Sequence, residues 1–191
     1  MPTDAVQGTL YHLPASSPRG DAILPLKQMR SRFPDLYERH ARKYAGRRDG
    51  LDAPVPPLGC TWTDVVFLSP LHPAPLYDAL RRAGITGRPA PEPWTLDASR
   101  LDPDRAVIRL MRHGHDGHAP EPPDEHDYLP FTTVSLRAVS QVTVSAIQRL
   151  ESLQPGDPWL PFVDVPHVLY HGSIPVSWFQ QPAQDVSAQA S

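Results

Sequence analysis

Three of the chain's nine histidines sit in apolar stretches, where an imidazole is an unusual guest. Pro166-His167-Val168-Leu169-Tyr170-His171-Gly172-Ser173-Ile174-Pro175 reads as a strand, a glycine turn and a second strand. Leu10-Tyr11-His12-Leu13 reads as another strand near the start. Side chains alternate across a strand, so His167, Leu169 and His171 share one face. Imidazoles on one face can move a proton near neutral pH or orient a polar ligand, which makes His167 and His171 the candidate catalytic pair. The competing reading of each is a satisfied core histidine.

Other constellations carry weaker chemistry. Arg112-His113-Gly114-His115-Asp116-Gly117-His118, with His126 beyond, is the densest imidazole cluster. It could ligate zinc in a small metal-dependent hydrolase, but its glycines and prolines and its lack of a supporting second shell argue against a resident metal, and none is expected. Ser69 lies three residues before His72, yet no Gly-x-Ser-x-Gly turn occurs, so Ser69-Pro70 reads better as the approach to a helix. No glycine-rich phosphate loop of the P-loop or dinucleotide type is present. Cys60 is the single cysteine, with no base beside it in sequence, and reads as a small core residue.

Charge is unevenly placed. Residues 27 to 48 hold eight cations against two carboxylates, a net +6, and because the whole chain is −3 the rest carries −9. Arg39, Arg42 and Lys43 fall on the polar side of a predicted helix and Arg47 and Arg48 follow its end, with Tyr37, Tyr44 and Trp62 nearby. Such a face can follow a phosphate backbone and is the candidate nucleic-acid surface, although a plain solvated face is the commoner reason for such runs.

The elements that must position these residues are short. The chain has 191 residues, 40% of them apolar and 20% charged, enough for one hydrophobic core. Its 25 prolines, about 13% of positions against a usual ~5%, break regular structure often. Strands are expected at 8–13, 61–68, 93–97, 105–111, 160–164, 167–171 and 174–178. Helices are expected from Pro34 to a Gly46 cap, from about Pro75 to Gly84, and as one long element over 133–153. Residues 53–59 read as an extended proline-rich connection and 113–130 as a polar loop. The expected organisation is one α+β domain over 1–180 with a flexible tail at 181–191. With no secretory leader pattern, one cysteine and no run of ~18 apolar residues, the reading is a cytoplasmic protein without a membrane partner.

The order of segments resembles the ADP-ribosyltransferase superfamily, in particular the DarT-type DNA ADP-ribosyltransferases. The resemblance is carried by the Tyr11-His12 strand, the basic helix, Asp64-Val-Val-Phe-Leu-Ser-Pro-Leu-His-Pro-Ala-Pro-Leu-Tyr77, Val107-Ile-Arg-Leu-Met111 and His167-Val-Leu-Tyr-His-Gly-Ser-Ile-Pro175, and it loosely covers residues 9–178. It implies a split, mostly antiparallel sheet flanked by helices, NAD as the cofactor, and transfer of ADP-ribose to a nucleic acid. It places Tyr11, His12 and Ser69 at the dinucleotide and His167 where the family holds its glutamate. An imidazole can accept a proton but lacks a carboxylate's charge and paired oxygens, so a non-catalytic nucleic-acid or protein-binding module is the rival expectation.

Overall fold

The computed structural model describes residues 5–14, 19–42, 51–112, 123–157, 162 and 164–182. Seven short strands form two antiparallel sheets. In the first, β1 (Thr9–His12) pairs with β6 (Trp94–Asp97), which also pairs with β11 (Phe179–Gln180). In the second, β5 (Val65–Leu68), β9 (His167–His171), β7 (Ala106–Arg109) and β8 (Tyr128–Pro130) follow one another in space. One isolated bridge joins the sheets. Tyr11 N–H donates to the Ser69 carbonyl and Ser69 N–H to the Tyr11 carbonyl, both at 2.8 Å. Two two-stranded ladders complete the β structure, the long-range pair of β2 (Ala22–Ile23) with β10 (Ile174–Pro175) and the hairpin of β3 (Pro54–Val55) with β4 (Cys60–Thr61). The architecture is α+β with antiparallel sheets.

Register assigns the two faces of the four-stranded sheet. Phe67, Leu169 and Val107 oppose one another, as do His167, Arg109 and Tyr128, and Val65 opposes His171. This outer face buries Val65, Val107 and Leu169 against Val55, with Leu58, Cys60 and Trp62 of the proline-rich segment packed on them. The opposite face sends Val66, Leu68, Ile108, Val168 and Tyr170 into the main core with Leu10, Leu96, Phe131, Leu136 and Ile174. Both faces are apolar, which is why β5, β7 and β9 read as continuous hydrophobic runs instead of alternating ones.

Among the described residues there are five α-helices. α1 (Leu26–Arg32) and α2 (Pro34–Ala41) pack together, and α3 (Ala74–Arg82) packs on α5 (Val144–Glu151) through Leu76, Leu80, Leu150 and Leu153. α3 ends as its glycine predicts. Gly84 takes φ +73°, its N–H reaches the Arg81 carbonyl, and Ile85 N–H reaches Leu80, closing a Schellman turn. None of these helices is long and apolar enough to cross a membrane.

Several expectations are corrected. The long helix over 133–153 is two, α4 (Thr133–Ala138) and α5, because the Thr132 and Thr143 hydroxyls each accept from the backbone N–H three residues ahead and start a new helix. The strand expected from Thr61 begins only at Val65. Asp64 folds back on Thr61, accepting from its amide at 3.1 Å and its hydroxyl at 2.7 Å, and winds 62–64 into a 3₁₀ turn. The proline-rich 53–59 is a hairpin around a 3₁₀ turn, not a plain extended connection. The end of the polar loop, 128–130, is the edge strand β8. The expected Gly46 cap and most of the 160–164 strand lie outside the described residues, as does the tail from 183.

Gly172, after β9, holds φ +109°, and the Arg105 side chain occupies the space a Cβ would need while donating to the His171 carbonyl at 2.5 Å. Gly172→Ala is expected to cost about 1–3 kcal/mol, read as a lower urea midpoint at unchanged slope.

Candidate functional site

A cavity of about 320 Å³ opens where the two sheets part. Tyr11, His12, Phe67, Ser69 and His167 line it, together with Ile23, Leu24, Leu26 and Met29 around α1, Leu36 and His40 of α2, and Phe162. Its lining is mainly apolar, Arg19 stands exposed at the rim, and no carboxylate is among the described lining residues. Arg19 is paired there with Asp35 at 2.8 Å.

β1 delivers His12 to this cavity. Leu10 points into the core with no exposure, and two residues on His12 turns its Nδ1 to the Phe67 carbonyl at 3.2 Å, its ring 5.8 Å from that of Phe179. His167, the first residue of β9, sets its Nδ1 2.8 Å from the Val165 carbonyl, between the rings of Phe67 and Phe162 at 6.3 Å each. A carbonyl only accepts, so each Nδ1 carries the proton and each Nε2 presents a lone pair.

Burial disfavours the charged form of both rings. It pushes His167 down to about 4, with Arg109, its register neighbour, adding repulsion. It lowers His12 as well, and His40 contributes in the same direction. At neutral pH the site therefore holds two neutral imidazoles that accept hydrogen bonds from ribose hydroxyls, amides or amines. With its conjugate acid near 4, His167 has little driving force as a base and suits the acceptor role better.

The structure brings together Tyr11, His12, Ser69 and His167. It does not add His171, which lies at the far end of β9, roughly 13 Å of extended chain from His167 and opposite Val65. β9 is also not the neighbour of β1, because β5 runs between them. The Ser69 hydroxyl is used locally, donating to the Leu71 carbonyl at 2.9 Å and accepting from its amide at 3.0 Å. His72 Nδ1 accepts from the Ala74 amide at 3.2 Å, so no Ser69–His72 couple forms.

Two features escaped the sequence reading. His40 reaches the cavity from α2, one turn after Leu36. Phe162 arrives from a segment read as a strand.

Of the cationic residues, Arg39 and Arg42 are exposed, while Lys43, Arg47 and Arg48 lie outside the described residues. A second hollow of about 600 Å³ is lined by Lys27, Arg30, Tyr37, Glu38, Arg42, Asp52, Thr61 and Thr63. Lys27 is paired there with Asp64 at 2.9 Å, and Arg30 lies 5.7 Å over Tyr37. His113, His115 and His118 lie outside the described residues, and among the described ones no three His, Cys, Asp or Glu side chains converge as metal ligands. Cys60 is partly buried, its thiol pushed up by burial and by Asp64.

A neutral buried histidine stabilises the fold above its unfolded value of 6.5, and that contribution is lost as pH falls toward the folded value. From pH 7 to pH 4 His167 is expected to remove about 2–3 kcal/mol, with His12 adding in the same sense. Asp64, Asp97 and Asp127 sit below 3.8 and titrate under this window. Urea unfolding across the range checks it, with a flatter profile for His167→Gln.

Comparison with protein-family models, with curated proteins and with solved structures returns no match for this chain.

Proposed function

We propose that the chain is a nucleotide-binding protein of ADP-ribosyltransferase-like architecture, and that the cavity between its sheets takes the nucleoside part of NAD or ADP-ribose. The observation that carries the reading is that His12 and His167, 155 positions apart in sequence, line one cavity with both Nδ1 atoms tied to backbone carbonyls. Two fixed acceptors in an apolar enclosure suit a ribose, whose hydroxyls donate, beside a flat base or nicotinamide ring. The volume fits a nucleoside-sized group and leaves the phosphates at the rim, where Arg19 exchanges Asp35 for them.

Binding is favoured over transfer of the glutamate-dependent kind. An ADP-ribosyl transition state builds positive charge, and the described lining offers no carboxylate to balance it. In the catalytic version of the proposal NAD would supply ADP-ribose to a nucleic acid, the acceptor's bond to the ribose replacing the glycosidic bond to a departing nicotinamide, and His167 Nε2 would take the acceptor's proton against its low basicity.

NAD or ADP-ribose is expected to raise the melting temperature in a saturable way, and His12→Ala to weaken binding at least tenfold, about 1.4 kcal/mol. No shift with either ligand in the wild-type protein would sink the nucleotide reading.

The cationic hollow beside Tyr37 favours a second reading, contact with a nucleic-acid backbone through Lys27, Arg30 and Arg42. Oligonucleotide affinity should then fall steeply with salt, and Arg30→Ala with Arg42→Ala should reduce the slope by about two. A slope unchanged in the double variant rejects it.

A further inference from the structure

We infer that the outer face of the four-stranded sheet holds a second binding site, for an oxyanion of the phosphate or carboxylate class, built on Arg109, Tyr128 and Trp62. Arg109, the last residue of β7, is only 6% exposed, and its guanidinium lies 4.6 Å over the Trp62 ring. Its Nε is buried without a hydrogen-bond partner, and among the described residues it has no ion pair. Its register neighbour across β8 is Tyr128, whose hydroxyl is also buried without a partner. Neighbours in register stand side by side on one face, with Cβ atoms about 5 Å apart, so two unsatisfied donors occupy one corner of the sheet.

The carboxylate that attracts Arg109 here, Asp127, makes no hydrogen bond or ion pair with it among the described residues. The Asp127 carboxylate beside it is committed, accepting from Arg112 Nε and Nη2 at 2.8 Å each and from the Asp124 amide at 3.0 Å. Asp64 is held by Thr61 and Lys27. On the other side of Arg109 stands His167, which is neutral. The Trp62 ring lies against the guanidinium and leaves its Nε–H unserved. Buried cations are found paired, and a buried donor left unmade is the costlier state, so the arrangement is complete only when a group with several acceptor oxygens sits against both donors. Trp62, Tyr128 and Cys60 at this edge are partly exposed while the two donors are buried, so an oxyanion reaches them as the Trp62 and Tyr128 side chains shift. None of the three residues of the site lines the cavity of His12, so the inference does not rest on the nucleotide reading.

The test follows the Arg109 Nε–H resonance in the wild-type protein while sodium phosphate, or separately acetate, replaces chloride at constant ionic strength. A saturable shift is expected, with a rise in melting temperature of roughly 3 °C that Arg109→Gln abolishes, Tyr128→Phe reduces and His12→Ala leaves intact. A response to phosphate alone assigns the site to phosphate groups, and a response to both assigns it to oxyanions in general. A resonance that moves no more than in the chloride control overturns the proposal, and so does stabilisation that survives in Arg109→Gln. Should that variant fail to fold, the wild-type resonance decides the question alone.

Discussion

The molecule turns on one reciprocal pair of backbone hydrogen bonds, between Tyr11 and Ser69. It joins two sheets that are otherwise separate ladders, and it is made only once. In an antiparallel ladder every second residue points its N–H and C=O at the same neighbour, so Phe67, two before Ser69, also aims at the edge facing β1. Extended pairing would serve the Phe67 carbonyl with a backbone N–H. Instead the chain leaves β1 after His12, and the imidazole takes that carbonyl. The histidine thus caps an exposed sheet edge, and the wedge left by the unmade rungs becomes the cavity.

The same geometry sets the chemistry. An imidazole that spends Nδ1 on a backbone carbonyl is fixed in one tautomer and orientation, so its other nitrogen is a directed acceptor. Two such rings, both disfavoured as cations by burial, give the cavity a neutral character while the cationic side chains gather on α1 and α2. The Arg109 corner lies behind His167 on the same sheet face, so any charge arriving there acts on the ring that lines the cavity. Two regions, one mainly apolar with imidazole acceptors and one cationic, therefore share strand β9 with its neighbour β7.

Local chemistry was legible in the chain. The strands around Leu10, Phe67, Ile108 and Leu169 are apolar runs bounded by proline or glycine, and they form where that pattern places them. Gly84 closes α3 and Pro34 opens α2 as their backbone preferences require. Boundaries failed where a side chain competed with the backbone, as when Asp64 folded onto Thr61 and Thr143 restarted a helix. Hydrophobic periodicity carries no information about such bonds.

The sequence by itself determined the α+β class, the apolar strands and the presence of His12 and His167 at strand ends. These follow from the alternation and propensity of neighbouring residues, which act over a few positions. Only the tertiary structure decided that the two histidines meet, that His171 stays away, that His40 joins them and that the buried Arg109 Nε is left without a hydrogen-bond partner. Each of these depends on register between strands far apart in the chain, and register is set by the packing of the whole sheet against its two cores.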